Sequence, residues 1–491
     1  MRDYQMFING QWCNSSKGRT FESLNPYTQQ PWALIPQASI EDVEWAVQSA
    51  TDAFYTIWRD YNGTERAKLM NNLADLLEEN ANLLAEIETT DNGKVIRETK
   101  NQVYFAARGY RFFAGAANKI YGEVIPLDDP DLFDYTIRTP LGVSLLIISW
   151  NSPLSLIANK LAPALAAGNT VIIKPSEHAS ASSLEFAKLV EKAGFPPGVI
   201  NVVTGDGEVG KYLTEHAGIK KISFTGGAET GKRIAETAAR NLVPVTLELG
   251  GKSPNIVFED AELSKAVIGA VAGIFAATGQ TCIAGSRLLV QRSIYQEFVE
   301  KVVEKTKSIR LGNPLNPETE MGPVANKQQF DKILGMIEKA KAEGAQVVTG
   351  GNSPQSVELQ SGYFLNPTIF YNVQNDMEIA CEEVFGPVLS ILPFEDINEA
   401  IQIANDTKYG LAAGIWTTDL KKIHYLTRKL EAGTVWVNTY RTAAPNAPFG
   451  GIKNSGYGKE RSLEAIKEFT YVKNVMMNFS DEERDPFSIK V

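Results

Sequence analysis

A single cysteine lies in a stretch of small residues, FAATGQTCIAGSR, at positions 275–287. A thiolate is a strong nucleophile, so Cys282 in this setting predicts covalent catalysis. The apolar run from Ala266 to Ala277 has helical spacing, with Asp260 as the expected N-cap, and it stops at Gly279. Cys282 is therefore expected in a tight turn after a buried helix, fixed yet reachable. The alternative for a lone cysteine is an inert core side chain.

A carboxylate and an amide complete a set of groups suited to acyl chemistry. Glu248 ends the apolar strand in VTLELGG, where loss of water raises the pKa of a carboxyl group towards the range of a general base. Asn151 follows the strand LLIIS and precedes Pro153, and its amide could donate to an oxyanion. A structural glutamate and a helix N-cap are the respective alternatives.

Glycines and one strand-end pair indicate a dinucleotide site. A G-x-G-x-x-G run at 205–210 follows the strand VINVV, but the next strand ends without the acidic residue that this fingerprint requires. Lys174 and Glu177 end an earlier strand, TVIIKPSE, and could hydrogen-bond a ribose; a solvated surface pair is the alternative. Gly226 and Gly227 begin a helix whose free N–H groups suit a pyrophosphate.

Composition bounds the class of protein. The 491 residues predict two or three domains, and 48 Lys and Arg against 58 Asp and Glu give a net charge of −10, which provides no basic field for nucleic acid or anionic lipid. Three distant cysteines argue for a reducing compartment, and three histidines match no metal-ligand spacing, so no metal is predicted. Without an apolar leader or a membrane-length run, the protein is predicted to be cytoplasmic.

Two series of alternating strands and helices must position these residues. Short β-rich runs alternate with helical segments over 142–249, and the pattern returns over 253–470. This alternation predicts an α/β fold with two doubly wound parallel sheets, and nucleotides bind at the strand ends of such sheets. A hairpin at Asn9-Gly10 and several helices over 40–119 precede them.

Two further segments differ from the main domains. Residues 121–140 are acidic, contain three prolines and end in the alternating run FDYTIRT, so an excursion with an edge strand for subunit pairing is expected. The tail contains the strand-like run YVKNVMMNF followed by charged residues, and it is expected to pair outside the second core.

Seven motifs carry a resemblance to the aldehyde dehydrogenase superfamily over essentially the whole chain. In order, they are SWNSP at 149–153, KPSE at 174–177, FTGG at 224–227, LELGGKSPN at 247–255, GQTC at 279–282, EEVFGP at 382–387 and PFGGIKNSGYG at 448–458. The resemblance implies that Cys282 is the nucleophile, that Glu248 is the general base, and that the Asn151 side chain and the Cys282 N–H hold the oxyanion.

The resemblance also implies an NAD site. The residues expected to contact the cofactor are Trp150, Lys174, Glu177, Gly226, Gly227, Glu383 and Phe385. Lys174 and Glu177 would bind the adenosine ribose, and Glu383 and Phe385 the nicotinamide ribose and ring. Because the Glu177 carboxylate accepts from a 2′-hydroxyl and repels a 2′-phosphate, NAD is preferred, while Lys174 leaves room for some use of NADP.

The same resemblance assigns domains and assembly. An NAD-binding domain is expected at 1–120 and 141–250, a catalytic domain at 251–470, and a small β oligomerisation domain at 121–140 and 471–491. The predicted partners are a small-molecule aldehyde and further copies of the chain, as a homodimer or homotetramer, with neither nucleic acid nor membrane.

The implied reaction oxidises an aldehyde to a carboxylic acid through a Cys282 thiohemiacetal and a thioester, which water activated by Glu248 hydrolyses. Family members that acylate coenzyme A tend to lack this base, so Glu248 favours hydrolysis. Acylation of coenzyme A is the alternative among enzymes, and a non-catalytic protein of the same fold is the alternative outside them.

Three residues bear on the substrate. Ser152 and Asn159 stand where aromatic residues are common in the family, which implies a less aromatic substrate tunnel. Arg441 is expected on the loop before Pro448, with small neighbours and few local partners. We hypothesise that it binds the polar or anionic end of an aliphatic aldehyde. The alternative is an arginine paired with a surface acid or packed at a subunit interface.

Overall fold

The computed structural model of the chain describes residues 1–482, 485 and 487. Within this part, two large sheets and three small ones are flanked by helices, so the predicted α/β class is confirmed. Among the described residues, none of the helices combines the length and apolar character needed to span a membrane.

The first large sheet has five central parallel strands and antiparallel strands at both edges. In spatial order its strands are Gly456–Tyr457, Val245–Glu248, Lys221–Thr225, Val143–Ile148, Thr170–Pro175, Ile200–Val202, Met6–Ile8 and Gln11–Cys13. The strand order reverses between Val143–Ile148 and Lys221–Thr225, and a parallel sheet opens a ligand crevice beyond the carboxyl ends of its strands at such a point.

Helices cover both faces of the first sheet. They are Ile40–Thr56, Gly63–Glu79, Ala81–Asn92, Ile96–Ala116, Pro153–Ala167, Ala181–Ala193, Gly207–Glu215, Ala228–Arg240 and Glu464–Lys467. Successive strand residues belong to different cores, since Leu145 packs into one apolar cluster and Leu146 into the other. This two-sided burial explains why the strands are almost continuously apolar.

The second large sheet is parallel except for its first edge strand. Its strands in spatial order are Gln346–Thr349, Thr368–Tyr371, Val388–Phe394, Arg287–Gln291, Pro254–Val257, Ala412–Trp416 and Thr434–Val437. Its helices are Leu263–Phe275, Tyr295–Lys307, Lys327–Ala342, Val357–Gln360, Glu378–Cys381, Ile397–Asn405 and Leu420–Lys429. The two predicted doubly wound sheets are therefore both present.

The third sheet joins the excursion to the tail. Thr470–Asn478 pairs along its full length with Leu132–Pro140, which also pairs with Val124–Ile125. The predicted strands of both segments are confirmed, although 483–484, 486 and 488–491 of the tail lie outside the described residues. The remaining small sheets contain Arg2–Asp3, Gln30–Pro36 and Thr20–Asn25, and Tyr409–Gly410 with Ile452–Lys453.

The structure confirms the predicted hairpin at Asn9-Gly10 but not the predicted helix N-cap at Asp260. The hairpin is confirmed, because Asn9 and Gly10 both have positive φ between paired strands. The N-cap assigned to Asp260 is wrong, because the helix begins at Leu263. The Asp260 carboxylate instead accepts hydrogen bonds from residues 417–419 and forms an ion pair with Lys422.

The expected domain limits remain a prediction. The segment 251–470, assigned to the catalytic domain, supplies the strand Gly456–Tyr457 to the edge of the first sheet, where it pairs with the end of Val245–Glu248. The chain therefore crosses back over the expected boundary. The returning strand pairs with Glu248, one of the residues predicted to be catalytic.

Candidate active site

Cys282 lies in a turn between the helix Leu263–Phe275 and the strand Arg287–Gln291. The preceding residues Ala277 and Thr278 have φ values of 54° and 57°. Left-handed backbone costs a residue with a side chain about 1–2 kcal/mol, so two in succession require support from their surroundings. The turn expected from the sequence is confirmed, but the helix ends at Phe275 rather than Ala277.

Bonds to distant segments hold this turn. The Ala277 N–H donates to Glu98 at 3.1 Å, and the Thr278 hydroxyl donates to the Gly322 carbonyl at 3.1 Å. The Gln280 side chain accepts from the Ala325 N–H at 2.9 Å. The turn is therefore anchored on both sides of the nucleophile, while Cys282 itself is half-buried and not sealed in the core.

The surroundings of Cys282 favour the neutral thiol. Burial raises the pKa of Cys282 to about 12, and the carboxyl groups of Glu383 and Glu248 add to the rise, while Arg461 opposes it. Near neutral pH the thiol keeps its proton, so forming the thiolate requires a proton acceptor or a nearby positive charge.

Asn151 connects the first sheet to the nucleophile turn. Its amide donates to the Gln280 carbonyl at 2.9 Å. The N-cap position of the following helix belongs to Ser152, without a side-chain capping bond, so the N-cap alternative for Asn151 is wrong. Lys94 fixes the segment from behind, because its ammonium contacts the Asn151 carbonyl and donates to the Ser152 hydroxyl at 2.6 Å.

Glu248 ends its strand as predicted and is only 3% exposed. Neither carboxylate oxygen has a hydrogen-bond partner among the described residues. Burial raises the pKa of Glu248 well above its usual value, the carboxylate of Glu460 raises it further, and Lys160 opposes both effects. A buried carboxyl without partners has a free oxygen for a proton from water.

A buried ion pair beside Glu248 was missed by the sequence analysis. Lys160 is fully buried, contacts Glu460 and donates to the Ser223 hydroxyl at 3.1 Å. Its position carried a signal, since Lys160 is the one charged residue in the helix PLSLIANKLAPALAA. Buried charges are rare unless they are paired, so this pattern could have pointed to a partner.

The crevice of the first sheet contains the predicted ribose and pyrophosphate residues. The Lys174 ammonium lies 3.6 Å from the Glu177 carboxylate at the end of its strand. A Cβ atom at Gly226 would lie 2.4 Å from the Phe224 ring, so the close turn requires glycine. Gly227 caps the helix Ala228–Arg240 without a side-chain bond, which leaves its first N–H groups available to an anion.

The glycine-rich run at 205–210 is less suited to an anion. The helix Gly207–Glu215 is already capped by the Asp206 carboxylate, which accepts from the Glu208 N–H at 3.0 Å. A second anion there would meet a negative charge. This cap is a further reason, besides the missing acidic residue at the end of the next strand, not to assign the pyrophosphate to this run.

Glu383 lies against the glycines that follow Glu248. The Gly251 N–H donates to its carboxylate at 3.0 Å, and a Cβ atom at Gly250 would lie 2.3 Å from the other carboxylate oxygen. Burial raises the pKa of Glu383 to about 7. Glu383 is thus held next to the strand end that carries Glu248.

Phe385 and Trp150 are in contact although Trp150 follows a strand of the first large sheet and Phe385 precedes a strand of the second. Their ring centroids are 5.3 Å apart at an interplanar angle of 90°. Phe385 has a φ of 55°, and Gln329 donates to its carbonyl at 3.0 Å. The contact brings together two residues predicted to lie beside the cofactor.

The residues predicted to bind substrate lie in different surroundings. The Ser152 hydroxyl is bonded to Lys94, and the buried Asn159 accepts from the Arg461 Nε at 3.4 Å. Arg441 finds its partner far along the chain and not among its small neighbours, because its guanidinium donates to the Ala276 carbonyl at 2.9 Å. Carbonyls at a helix C-terminus have no partners within the helix, so they attract such a cation.

Metal ligands are not clustered in the described part of the chain. No group of three or more His, Cys, Asp and Glu side chains there is placed to hold an ion. The absence of a metal remains a prediction.

Comparison with known sequences gives matches along nearly the entire chain. A family profile described as "Aldehyde dehydrogenase family" matches residues 12–475. A (Z)-2-((N-methylformamido)methylene)-5-hydroxybutyrolactone dehydrogenase from Acinetobacter baylyi is 46% identical over 494 residues, with complete coverage of both chains. An aldehyde dehydrogenase, cytosolic 1, from Elephantulus edwardii is 45% identical, covering 97% of this chain and 95% of its own.

Comparison with solved structures agrees. A point mutant of betaine aldehyde dehydrogenase from Staphylococcus aureus, in complex with NAD+ and with a BME-modified cysteine, has a TM-score of 0.97 at 38% identity and covers all of both chains. A putative aldehyde dehydrogenase from Burkholderia cenocepacia has a TM-score of 0.97 at 42% identity, covering 99% of this chain and 100% of its own. The chain belongs to the aldehyde dehydrogenase family.

Proposed function

We propose that this enzyme oxidises an aldehyde to a carboxylic acid through covalent attachment to Cys282 and hydrolysis with Glu248 as the base. The observation that carries the proposal is the buried Glu248 carboxyl, without a hydrogen-bond partner among the described residues, in the same electrostatic environment as Cys282. Aldehyde, NAD+ and water give acid, NADH and a proton.

The thiol must first lose its proton. Because burial raises the pKa of Cys282, a proton acceptor is required; water can serve, since Cys282 is only half-buried, and Glu248 then stays unprotonated for the later hydrolysis. Sulfur then adds to the aldehyde carbonyl, and the oxyanion is held by the Asn151 amide and the Cys282 N–H. The bond from Asn151 to the Gln280 carbonyl supports this role, since it points the amide towards the nucleophile turn.

Hydrolysis depends on the same carboxyl group. After hydride leaves the thiohemiacetal carbon, a thioester joins the substrate to Cys282. Glu248 takes a proton from water, the hydroxide adds to the thioester carbonyl, and the sulfur leaves. A raised pKa suits this step, because it makes the carboxylate a stronger base than an exposed glutamate.

NAD fits the crevice of the first sheet. When bound, it supplies the hydride acceptor. Lys174 and Glu177 would hold the adenosine ribose, the uncapped helix start after Gly227 would face the pyrophosphate, and Glu383 with the Trp150 and Phe385 rings would hold the nicotinamide end. Structures of betaine aldehyde dehydrogenase relatives in complex with NAD+ support this cofactor.

The alternative reaction, transfer of the acyl group to coenzyme A, is not supported by the site or by the relatives. Glu248 provides a base for water next to the thioester, and aldehyde dehydrogenases named among the relatives include betaine aldehyde and cytosolic types. The filled catalytic positions likewise argue against a non-catalytic protein.

The third sheet supports assembly with further copies of the chain. Within the described part of the chain its strand Thr470–Asn478 is an open edge, and Ile137, Val472 and Met476 are exposed on it and its neighbour. An open edge with apolar side chains suits pairing with another chain. A homodimer or homotetramer is proposed on this basis, and a cytoplasmic location is proposed from the three free cysteines.

One assay tests the reaction. NADH formation at 340 nm is followed with a panel of aldehydes and with NAD or NADP, and the product is identified with and without coenzyme A. Free acid and one NADH per aldehyde are expected. A coenzyme A thioester as the main product would contradict hydrolysis, and no turnover of any aldehyde would contradict the enzyme itself.

A further inference from the structure

Arg461 places a guanidinium beside the pocket of Cys282 and Glu248. Its positive charge lowers the pKa of both groups, so it lies within their electrostatic reach. Arg461 lies outside the motifs that carry the family resemblance. It nevertheless donates a hydrogen bond to Asn159, a residue predicted to line the substrate tunnel.

The guanidinium lies against two aromatic rings but has few hydrogen-bond partners. Its central carbon lies 4.7 Å from the centroid of the Phe449 ring and 5.1 Å from that of Phe105. Its one hydrogen bond within the described residues is the 3.4 Å contact from Nε to the Asn159 side chain, and none of the described carboxylates forms an ion pair with it. The N–H groups of the two Nη atoms are therefore free to donate to another acceptor.

The backbone at this position is held in a demanding conformation. Arg461 has a φ of 59° and the next residue, Ser462, has a φ of 50°. The Ser462 N–H donates to the Pro445 carbonyl at 2.8 Å, and the neighbouring Glu460 exchanges backbone bonds with Phe449. Residues with side chains adopt such backbone only where the surroundings fix it, and such sites cluster at ligand contacts.

Together these contacts suit a planar anion. The rings of Phe105 and Phe449 both lie within 5.1 Å of the guanidinium carbon, and charge-assisted hydrogen bonds are stronger in such apolar surroundings than in water. Arg441, the arginine first considered for this purpose, already donates to helix carbonyls. Resting on the proposed function, we propose that Arg461 binds a carboxylate on the substrate, so that the preferred substrates are aldehydes that also carry a carboxylate group.

The rival explanation is that Arg461 acts only on the reacting groups, by stabilising the thiolate and the Glu248 carboxylate. That role does not depend on the charge of the substrate. It predicts equal losses for every aldehyde when Arg461 is replaced, and this difference separates the two explanations.

The experiment compares kcat/KM for 4-oxobutanoate and butanal, which have the same number of carbons, with NAD. Wild type, Arg461→Lys and Arg461→Met are assayed, and Arg441→Met is the matched control. We expect wild type to prefer 4-oxobutanoate, and the preference to fall on the order of 100-fold in Arg461→Met, mainly through KM, because a charged hydrogen-bonded pair is lost. Arg461→Lys should keep part of the preference, and Arg441→Met should keep all of it.

Several outcomes would overturn the proposal. A wild type without preference for the anion rules it out before any variant is made. Equal losses for both aldehydes in Arg461→Met would assign Arg461 to the reacting groups, and a preference lost in Arg441→Met alone would move the anion site to Arg441. In all of these cases NADH still forms, so the proposed reaction stands; no NADH from any aldehyde would remove both.

Discussion

The crevice at the strand ends of the first sheet and the pocket around Cys282 are built in different ways. In the crevice, Lys174 and Glu177 end a regular parallel strand, and Gly227 begins an ordinary helix. In the pocket, the backbone before Cys282 is left-handed at Ala277 and Thr278. The crevice uses features that any α/β sheet provides, whereas the pocket needs support from distant parts of the chain.

Their charged groups differ as well. The Glu177 side chain is 37% exposed beside Lys174, while Glu248 is 3% exposed and has no hydrogen-bond partner among the described residues. Exposed pairs contribute about 0–1 kcal/mol, but removing one partner of a buried pair such as Lys160 and Glu460 costs about 3–5 kcal/mol. Losing one partner should therefore cost more stability in the pocket than in the crevice, where one member of the pair is exposed.

The largest expected effect separates the two regions completely. Cys282→Ala removes the atom that forms the covalent adduct, so turnover should fall on the order of 10⁵-fold or more. NAD binding should persist, because none of its predicted contacts is made by the Cys282 side chain. Steady-state NADH formation and calorimetric titration with NAD measure the two properties, and turnover near wild type would disprove the covalent mechanism.

Glu248→Gln should divide the reaction within the pocket. The thioester can still form, but water lacks its base, so a burst of NADH should precede a steady rate lowered by about 100-fold or more. Stopped-flow absorbance at 340 nm distinguishes these phases. If the burst itself disappears, Glu248 serves chiefly to activate Cys282, and its role in hydrolysis is then secondary.

Glu460→Gln tests whether the charge of Glu460 raises the pKa of Glu248. Burial and the Glu460 charge raise the pKa of Glu248, so its carboxylate becomes available only as pH rises, and the steady rate should rise with it. Removing the Glu460 charge also leaves Lys160 unpaired. Both changes lower the pKa of Glu248, so the rising limb of the pH–rate profile should move to lower pH.

The control for that profile is Glu464→Gln, which removes a carboxylate paired with Lys467 on the exposed surface nearby. Its profile should coincide with wild type. A Glu460→Gln profile that moves to higher pH, or stays in place, would show that Glu460 does not act on Glu248 through its charge.

The crevice was the more predictable region from the sequence. Alternating strands and helices placed Lys174, Glu177 and Gly226 at the ends of parallel strands, and the sheet order agrees. Local spacing suffices there, because parallel strands bring their carboxyl ends to one edge. The Asp206 cap adds a second reason to discount the glycine-rich run at 205–210, which the local sequence already disfavours.

The pocket was predicted only in part. Cys282, Glu248 and Asn151 came from residue types and the family motifs, but Lys160, Glu460 and Arg461 did not. Lys160 and Glu460 are 300 residues apart, and their contact depends on a strand returning to the first sheet. The apolar helix around Lys160 indicates that a partner exists but does not identify it, and no local pattern identifies the partners of the Arg441 guanidinium, which lie more than 160 residues earlier.

The smallest expected effect concerns cofactor choice in the crevice. The Lys174 side chain is nearly buried, and burial lowers the pKa of its ammonium while the Glu177 carboxylate opposes that shift. Glu177 therefore both supports the charge of Lys174 and repels a 2′-phosphate.

Glu177→Gln removes the repulsion and leaves the ammonium free for a phosphate. Because the pair is partly exposed and screened by water, the ratio of kcat/KM for NADP to that for NAD should rise only about tenfold. Glu236→Gln, which removes an exposed carboxylate on the helix Ala228–Arg240, controls for net charge and should leave the ratio in place. An unchanged ratio in Glu177→Gln would mean that the ribose lies away from this strand end, and the crevice would then lose its simplest explanation of NAD preference.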